Sequence, residues 1–428
     1  MFLPRLPWSV SHSRDDFRDD IFAGLTTAVM LIPQAMAYAL LAGLPVEVGL
    51  YASTIPIFVY AFWGSGRVLA VGPVAMDSIL CAAAIGAVVV AHPTLTSSDQ
   101  VTLAALLAFM SGVILILMGI FKLGRIVSLL TPTIISAFTS AAATIIAINQ
   151  LKLILGVDLL KSSNVYLVLG DLIRKLDQIH GLTMMVGMIT IVILGLLKQY
   201  APKIPRAFLV VIVSIGMVLM ADLGTKGVQL VGDIPSGLPR FTPPWMSRDI
   251  VLELVPHAIV IALIAFMEAF SINSKLQQDE YELEPSRELI ALGGANIAAG
   301  LFQGYSVTGG FSRSAVNSDA GAKSQLASIV TGLMVILTLV FFYTFLVNIP
   351  KAVLGAIILT AVIGLISIQD AKQVMCNQRS ELPIYLTTLI LTLFVGIKEG
   401  LIFGVLVNVL LNRKLFSNAD SSRSGDES

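Results

Sequence analysis

The chain has 428 residues, 56% hydrophobic and 13% charged, with a mean hydropathy of +0.88 and a formal net charge of zero. A soluble domain carries roughly a quarter charged residues, so this composition excludes an ordinary soluble protein, and the neutral balance gives no sign of a nucleic-acid partner. Two cysteines, Cys81 and Cys376, and four histidines without metal-ligand spacing argue against a disulfide framework and a metal centre.

The charged start, residues 1–20, includes Arg14-Asp-Asp-Phe-Arg-Asp-Asp20 and has no cleavable signal pattern, so it is expected to stay as a cytoplasmic segment. Apolar segments then follow at 21–41, 47–63, 72–91, 101–121, 128–149, 181–199 and 206–222. The stretch 223–254 contains the turn-rich Gly232-Asp-Ile-Pro-Ser-Gly-Leu-Pro239 and is expected to be a rigid linker. Seven more apolar segments fall at 255–277, 287–303, 311–322, 325–348, 351–368, 381–397 and 400–414. Several are shorter than the roughly 20 residues a full span needs, and 311–322 reads as a half-span. The polar tail 415–428 is expected to be cytoplasmic and disordered.

This order predicts an all-α polytopic membrane protein of about fourteen segments, with 21–222 and 255–414 as two repeats of seven. An odd number of spans per repeat requires the repeats to be inverted across the membrane. Weak internal similarity agrees: Thr131-Pro-Thr-Ile-Ile-Ser-Ala-Phe138 and Ile349-Pro-Lys-Ala-Val-Leu-Gly-Ala356 open fifth spans. Arg67, Lys122, Arg125, Lys198, Lys203, Arg206, Lys275, Arg287, Lys323, Lys372 and Arg379 lie at or after the ends of even-numbered spans. Lys351 is an exception. The positive-inside rule then places both termini in the cytoplasm, of a plasma or inner membrane.

Two interruptions stand out: Ala70-Val-Gly-Pro-Val-Ala-Met-Asp-Ser78 in one half and Ser306-Val-Thr-Gly-Gly-Phe-Ser-Arg-Ser314 in the other. Irregular backbone at membrane depth is tolerated only where protein buries it or a cavity needs it. Paired breaks in corresponding positions point to a transporter binding site, and the helix N-termini they create favour an anion.

Ionisable residues within spans are costly, so each needs a reason. Arg313, flanked by Ser312 and Ser314, suits an oxyanion receptor; the plain alternative is a structural cation. Glu268 sits mid-span with no basic residue in Ile261-Ala-Leu-Ile-Ala-Phe-Met-Glu-Ala-Phe270, and the cost of burying its charge makes it a natural proton carrier. A permanently neutral acid bonded to backbone would look the same. Asp77 can pair with Arg313 or take part in cation coupling. Gln34 offers an amide donor and Tyr38 lies one turn along the same face, although polar residues in spans also serve as interhelical glue. Two helix N-termini at about +0.5 each and one guanidinium give about +2, which matches sulfate. No Walker loop or catalytic constellation occurs, so neither an enzyme activity nor a cofactor is expected.

The chain resembles the SulP sulfate permease family over roughly 18–414. The resemblance rests on Ile32-Pro-Gln-Ala-Met-Ala-Tyr-Ala-Leu-Leu-Ala-Gly-Leu-Pro45, Val48-Gly-Leu-Tyr-Ala-Ser53, Trp63-Gly-Ser-Gly-Arg67 and Val71-Gly-Pro-Val-Ala75. It continues through Glu268-Ala-Phe-Ser-Ile272, Phe311-Ser-Arg-Ser314 and Gly321-Ala-Lys-Ser-Gln-Leu326. The resemblance implies a uracil-transporter-like fold, with a core domain of helices one to four and eight to eleven and a gate domain of the rest. It implies an anion held between half-helices three and ten by Gln34, Tyr38, Val74, Ala75, Ser312 and Arg313. Glu268 matches the acid of proton-coupled members, whereas Asp77 stands where the family usually has an uncharged residue. Members usually continue into a STAS domain; this sequence is expected to be a natural short form or one cut at that boundary, and a homodimer stays open as a partner. The leading expectation is proton-coupled sulfate symport by alternating access. Bicarbonate or dicarboxylate transport, with sodium as the coupling ion, and a passive anion channel or exchanger are the alternatives.

Overall fold

The structure is a computed structural model and describes residues 13–122, 131–159, 165–201, 205–232, 234–276 and 283–411. Residues 1–12, the onset 128–130 of the fifth expected span, the end 412–414 of the last one, the polar tail 415–428, and the cations Arg125 and Lys203 lie outside the described residues.

The first repeat opens with α1 (Arg14–Leu41), started by a capping box in which the Ser13 hydroxyl accepts from Asp16 N and the Asp16 carboxylate accepts from Ser13 N. The second span is two helices, α2 (Val46–Ala52) and α3 (Ile55–Trp63), broken at Ser53 and Thr54. A two-residue strand β1 (Val71–Gly72) leads into α4 (Ala75–Ala91), followed by α5 (Ser97–Ile120). Helix α6 (Pro132–Leu155) starts at a Thr131 cap with proline in its first turn and ends at Gly156 in the left-handed conformation, φ 67°. Short α7 (Val165–Arg174), then α8 (Gly181–Tyr200) and α9 (Arg206–Ala221), complete this half.

The second half runs α10 (Arg248–Leu276), α11 (Pro285–Leu301), strand β2 (Thr308–Gly309) and α12 (Phe311–Asp319). Helix α13 (Leu326–Leu337) passes through a π turn, Thr338–Phe342, into α14 (Tyr343–Leu346). The last elements are α15 (Lys351–Ile363), α16 (Ile368–Asn377), α17 (Leu382–Phe394) and α18 (Ile397–Leu411). Each of the fourteen apolar segments corresponds to a helix or a broken helix; α7 and α16 are additional. Both additions are short helices with a polar share that an apolar-run reading passes over. Large apolar side chains such as Phe341, Phe345 and Met220 stand exposed, as lipid-facing surfaces require.

Packing separates the helices into two blocks. In the core block α11 lies on α3 and α5, α1 on α12 and α13, and α10 on α4 and α5. Glycines set the closeness of α5 and α11: a Cβ on Gly112 would lie 2.6 Å from the Gly293 carbonyl oxygen, and one on Gly293 2.7 Å from that of Gly112. In the gate block α15 packs on α6 and α8, and α17 on α6 and α18. Helices α1 and α4 touch the gate block through α9, α15 and α6. The linker fastens both blocks, since Val231 N donates to Ile349 O at 2.9 Å and Thr242 N to Leu301 O at 2.8 Å.

Buried acids tie the core together. Asp20 is fully buried and accepts from Lys323 N at 2.7 Å, Ser324 N at 3.0 Å and the Ser324 hydroxyl at 2.5 Å. Glu288 accepts from the hydroxyls of Tyr60 at 2.5 Å and Ser65 at 2.7 Å and from Asn273 Nδ2 at 2.9 Å. Satisfied in this way, a buried carboxylate is tolerable structural glue.

Candidate functional site

The two sequence breaks meet as an antiparallel pair, Val71 opposite Gly309 and Gly72 opposite Thr308. Beyond this pair the chain turns into helix on both sides, so the N-termini of α4 and α12 start from one small sheet. Their N-cap residues, Val74 and Gly310, are extended and offer no side-chain cap bond. The first-turn N–H groups are therefore left to other acceptors, with the positive end of each helix behind them.

The third helical residue is Asp77 in α4 and Arg313 in α12, and the fourth is serine in both, Ser78 and Ser314. Arg313 is 2% exposed. Its Nη1 donates to Pro73 O at 2.8 Å and more weakly to Gln34 Oε1 at 3.4 Å, while Nε and Nη2 have no partner. Among the described residues no carboxylate stands within ion-pair distance of it. Glycines leave room for the guanidinium: a Cβ on Gly310 would lie 2.7 Å from Arg313 Cζ. A buried guanidinium with two unused donors is costly unless something negative completes it.

Around it, Tyr38 and Gln34 are nearly buried on α1, and among the described residues neither the Tyr38 hydroxyl nor the Gln34 amide nitrogen has a hydrogen-bond partner. Val74 and Ala75, at the start of α4, are buried at 8% and 6% exposure, and Ser312 is exposed beside Arg313. Glu268 on α10 is half-buried, with Oε2 unpartnered, and its charge interacts with those of both Asp77 and Arg313. A hydrogen bond and charge interactions thus relate Gln34, Tyr38, Glu268 and Asp77 to Arg313 or to one another, while Val74 and Ala75 stand at the start of α4 and Ser312 precedes Arg313 in α12.

Asp77 resolves differently from the pairing alternative. It bonds not to Arg313 but to Ser306, whose hydroxyl lies 2.9 Å from Oδ2. Asn296 on α11 joins this group, accepting from Val307 N at 3.0 Å and donating to Val307 O at 2.8 Å. Ser78 and Tyr305 share a hydroxyl–hydroxyl contact of 2.9 Å, and Thr308 donates to Ala265 O at 2.5 Å, which fastens β2 to α10. Sequence reasoning did not single out Asn296, Ser306 or Tyr305. A lone amide in the Ala- and Gly-rich α11 was the available signal.

The sequence model of the sulfate permease family matches residues 17–388. The chain belongs to this family. It is 36% identical over 396 residues to sulfate transporter 4.1, chloroplastic, of Arabidopsis thaliana, covering 91% of this chain and 57% of that protein. A probable sulfate transporter of Mycobacterium tuberculosis, Rv1739c, is 31% identical over 403 residues, covering 93% of this chain and 70% of the relative. The chain therefore spans less than three fifths of sulfate transporter 4.1 and of probable sulfate transporter 4.2 of Arabidopsis thaliana, at 57% and 58%. Among solved structures, the murine Solute Carrier 26 family member A9 anion transporter in the inward-facing state superposes with a TM-score of 0.90 at 25% identity, covering 97% of this chain and 71% of that one. The transmembrane domain of a cyanobacterium bicarbonate transporter, BicA, gives 0.78 at 22% identity, covering 94% and 98%. The fold is thus that of a multi-pass membrane protein of the uracil-transporter-like type, with inverted repeats, core and gate domains, and half-helices α4 and α12.

Proposed function

We propose that this sulfate permease family member is a secondary transporter of inorganic anions, a proton-coupled sulfate symporter working by alternating access. The observation that carries the reading is Arg313, buried at the head of α12 with Nε and Nη2 unpartnered and facing the uncapped start of α4. Two helix ends at about +0.5 each and the guanidinium provide about +2 for a divalent oxyanion. Gln34, Tyr38, Ser312 and the backbone around Val74 and Ala75 complete the hydrogen bonding. The names of the relatives, a sulfate transporter and a probable sulfate transporter, agree with a sulfate substrate.

Glu268 supplies the coupling. Ionised, it subtracts a unit of charge beside the anion and weakens binding; protonated, it restores the site. The core block carries every proposed ligand, so sliding it against the gate block exposes the same site to either side. Each block draws helices from both repeats, 21–222 and 255–414, which are joined by 223–254, in a cell membrane with both termini cytoplasmic. Uptake of labelled sulfate, bicarbonate and dicarboxylates into proteoliposomes under imposed proton or sodium gradients tests the reading. Sulfate accumulation driven by protons is the expected result. Sodium-driven bicarbonate or dicarboxylate uptake, or gradient-independent flux, would replace it with the corresponding alternative.

A further inference from the structure

Asp77 is fully buried, and its two oxygens are treated unequally. Oδ2 lies 2.9 Å from the Ser306 hydroxyl, whereas Oδ1 has no partner. The same hydroxyl lies 3.2 Å from Asn296 Oδ1, so one hydrogen faces two acceptors. The network therefore has two forms, set by the proton on Asp77. With Asp77 ionised, the Ser306 hydroxyl turns to the carboxylate, and Asn296 Oδ1 keeps only the Val307 N–H. With a proton on Oδ2, Asp77 donates to Ser306, which in turn donates to Asn296. The second form is the more complete, because Asp77, Ser306 and Asn296 are then linked by two hydrogen bonds in series instead of one. Asn296 also grips both backbone groups of Val307, next to β2 and three residues before the N-cap of α12. The protonation state of Asp77 is thus read by the segment that carries Arg313.

We propose that Asp77 is a second proton-binding carboxyl of the transport cycle, so that two protons accompany each divalent anion. The proposal rests on the symport reading above, in which Glu268 takes the first proton. Charge counting supports it. With both acids ionised the side chains of the cleft sum to −1; one proton brings them to zero and two bring them to +1. Only the last, added to about +1 from the two helix ends, balances a divalent anion. The titratable groups that interact with Asp77 are Cys81 on its own helix, Tyr305 before β2, and Glu268 on α10. On α1, Tyr38 interacts with Glu268 and Arg313. Helices α5 and α6, also packed on α4, carry only Asp99 and Lys152 as charged residues, both near helix ends.

The test counts protons and sulfate in the same proteoliposomes, with an internal pH dye, labelled sulfate and the membrane potential clamped by potassium and valinomycin. The wild type is expected to move two protons per sulfate, at a rate indifferent to potential. Asp77→Asn is expected to move one, and to slow when the interior is made negative. A wild-type ratio of one, or a ratio of two that survives in Asp77→Asn, overturns the proposal. The wild-type ratio decides even if the variant fails to fold, and a melting curve in detergent reports folding. A ratio of one that Glu268→Gln abolishes leaves the symport reading intact and removes only this second site. Sulfate flux without protons, or with sodium in their place, removes both.

Discussion

The starts of α4 and α12 are built alike and charged oppositely. Each follows a two-residue strand of one small sheet, lacks a side-chain cap, and has its third residue deeply buried, with serine next. In α4 that third residue is Asp77, whose negative charge suits a helix N-terminus. In α12 it is Arg313, whose positive charge opposes its own helix end and adds to the field in the cleft. The two also differ in what satisfies them. Asp77 is engaged by Ser306 through one oxygen, while Arg313 spends one nitrogen on Pro73 O and Gln34 and leaves two unpartnered. One break is thus tied into a polar network that leaves one carboxylate oxygen over, and the other leaves two guanidinium donors over. Equivalent backbone in two inverted repeats need not carry equivalent chemistry.

The strongest way to break this asymmetry is at Arg313. Replacing it with Gln removes the charge and the fork of donors, and sulfate affinity measured by calorimetry in detergent is expected to fall by about 1.5–3 kcal/mol, about 10- to 100-fold. Next comes Glu268→Gln, which fixes the neutral form. Exchange of sulfate is expected to persist, acceleration by an inward proton gradient to shrink to the share carried by Asp77, and the fall of uptake from mildly acidic to neutral pH to become shallower than in the wild type. Wild-type uptake should fall across that range as pH rises, because the ionised acid opposes the anion.

Smaller effects sharpen the same contrast. Gly310→Ala places a Cβ 2.7 Å from Arg313 Cζ, so the guanidinium must move and affinity should drop about tenfold, the order of one good charge-assisted bond. Gly72→Ala, its counterpart in β1, meets Leu31 Cδ1 at 3.1 Å and Arg313 Nη2 at 3.4 Å, contacts that small shifts relieve. It is expected to cost less than threefold, a few tenths of a kcal/mol. Gln34→Ala removes only a 3.4 Å bond to Arg313 and one amide donor, and should weaken binding by about 0.5–1.5 kcal/mol. A Gly72→Ala defect larger than that of Gly310→Ala would reverse the assignment of roles to the two breaks.

Much of this was legible in the sequence because the membrane imposes its own grammar. Spans must be apolar, and backbone may break only where protein encloses it, so Gly72-Pro73 and Gly309-Gly310 marked the two breaks that the structure pairs. Arg313 and Glu268 were legible for the same reason: a charge in such a setting has few purposes. What stayed hidden depends on three-dimensional register. Asp20 was read as part of a solvated N-terminal segment, yet the loop at Lys323 and Ser324 folds over it and buries it. Glu288, near a helix start, reads as an ordinary first-turn acid until Tyr60, Ser65 and Asn273 arrive from elsewhere in the fold. The equivalence of Asp77 and Arg313 was hidden by the different lengths between strand and N-cap, because Pro73 has no counterpart before Gly310.

On the proposed reading the anion lies between the first turns of α4 and α12. Selenate in place of sulfate gives that place an anomalous signal in diffraction from crystals of the protein in lipid. The expected result is a peak between residues 72–78 and 309–314, about 3 Å from an Arg313 guanidinium nitrogen, that disappears in Arg313→Gln. A peak elsewhere in the protein, with none between these two helix starts, would contradict the account.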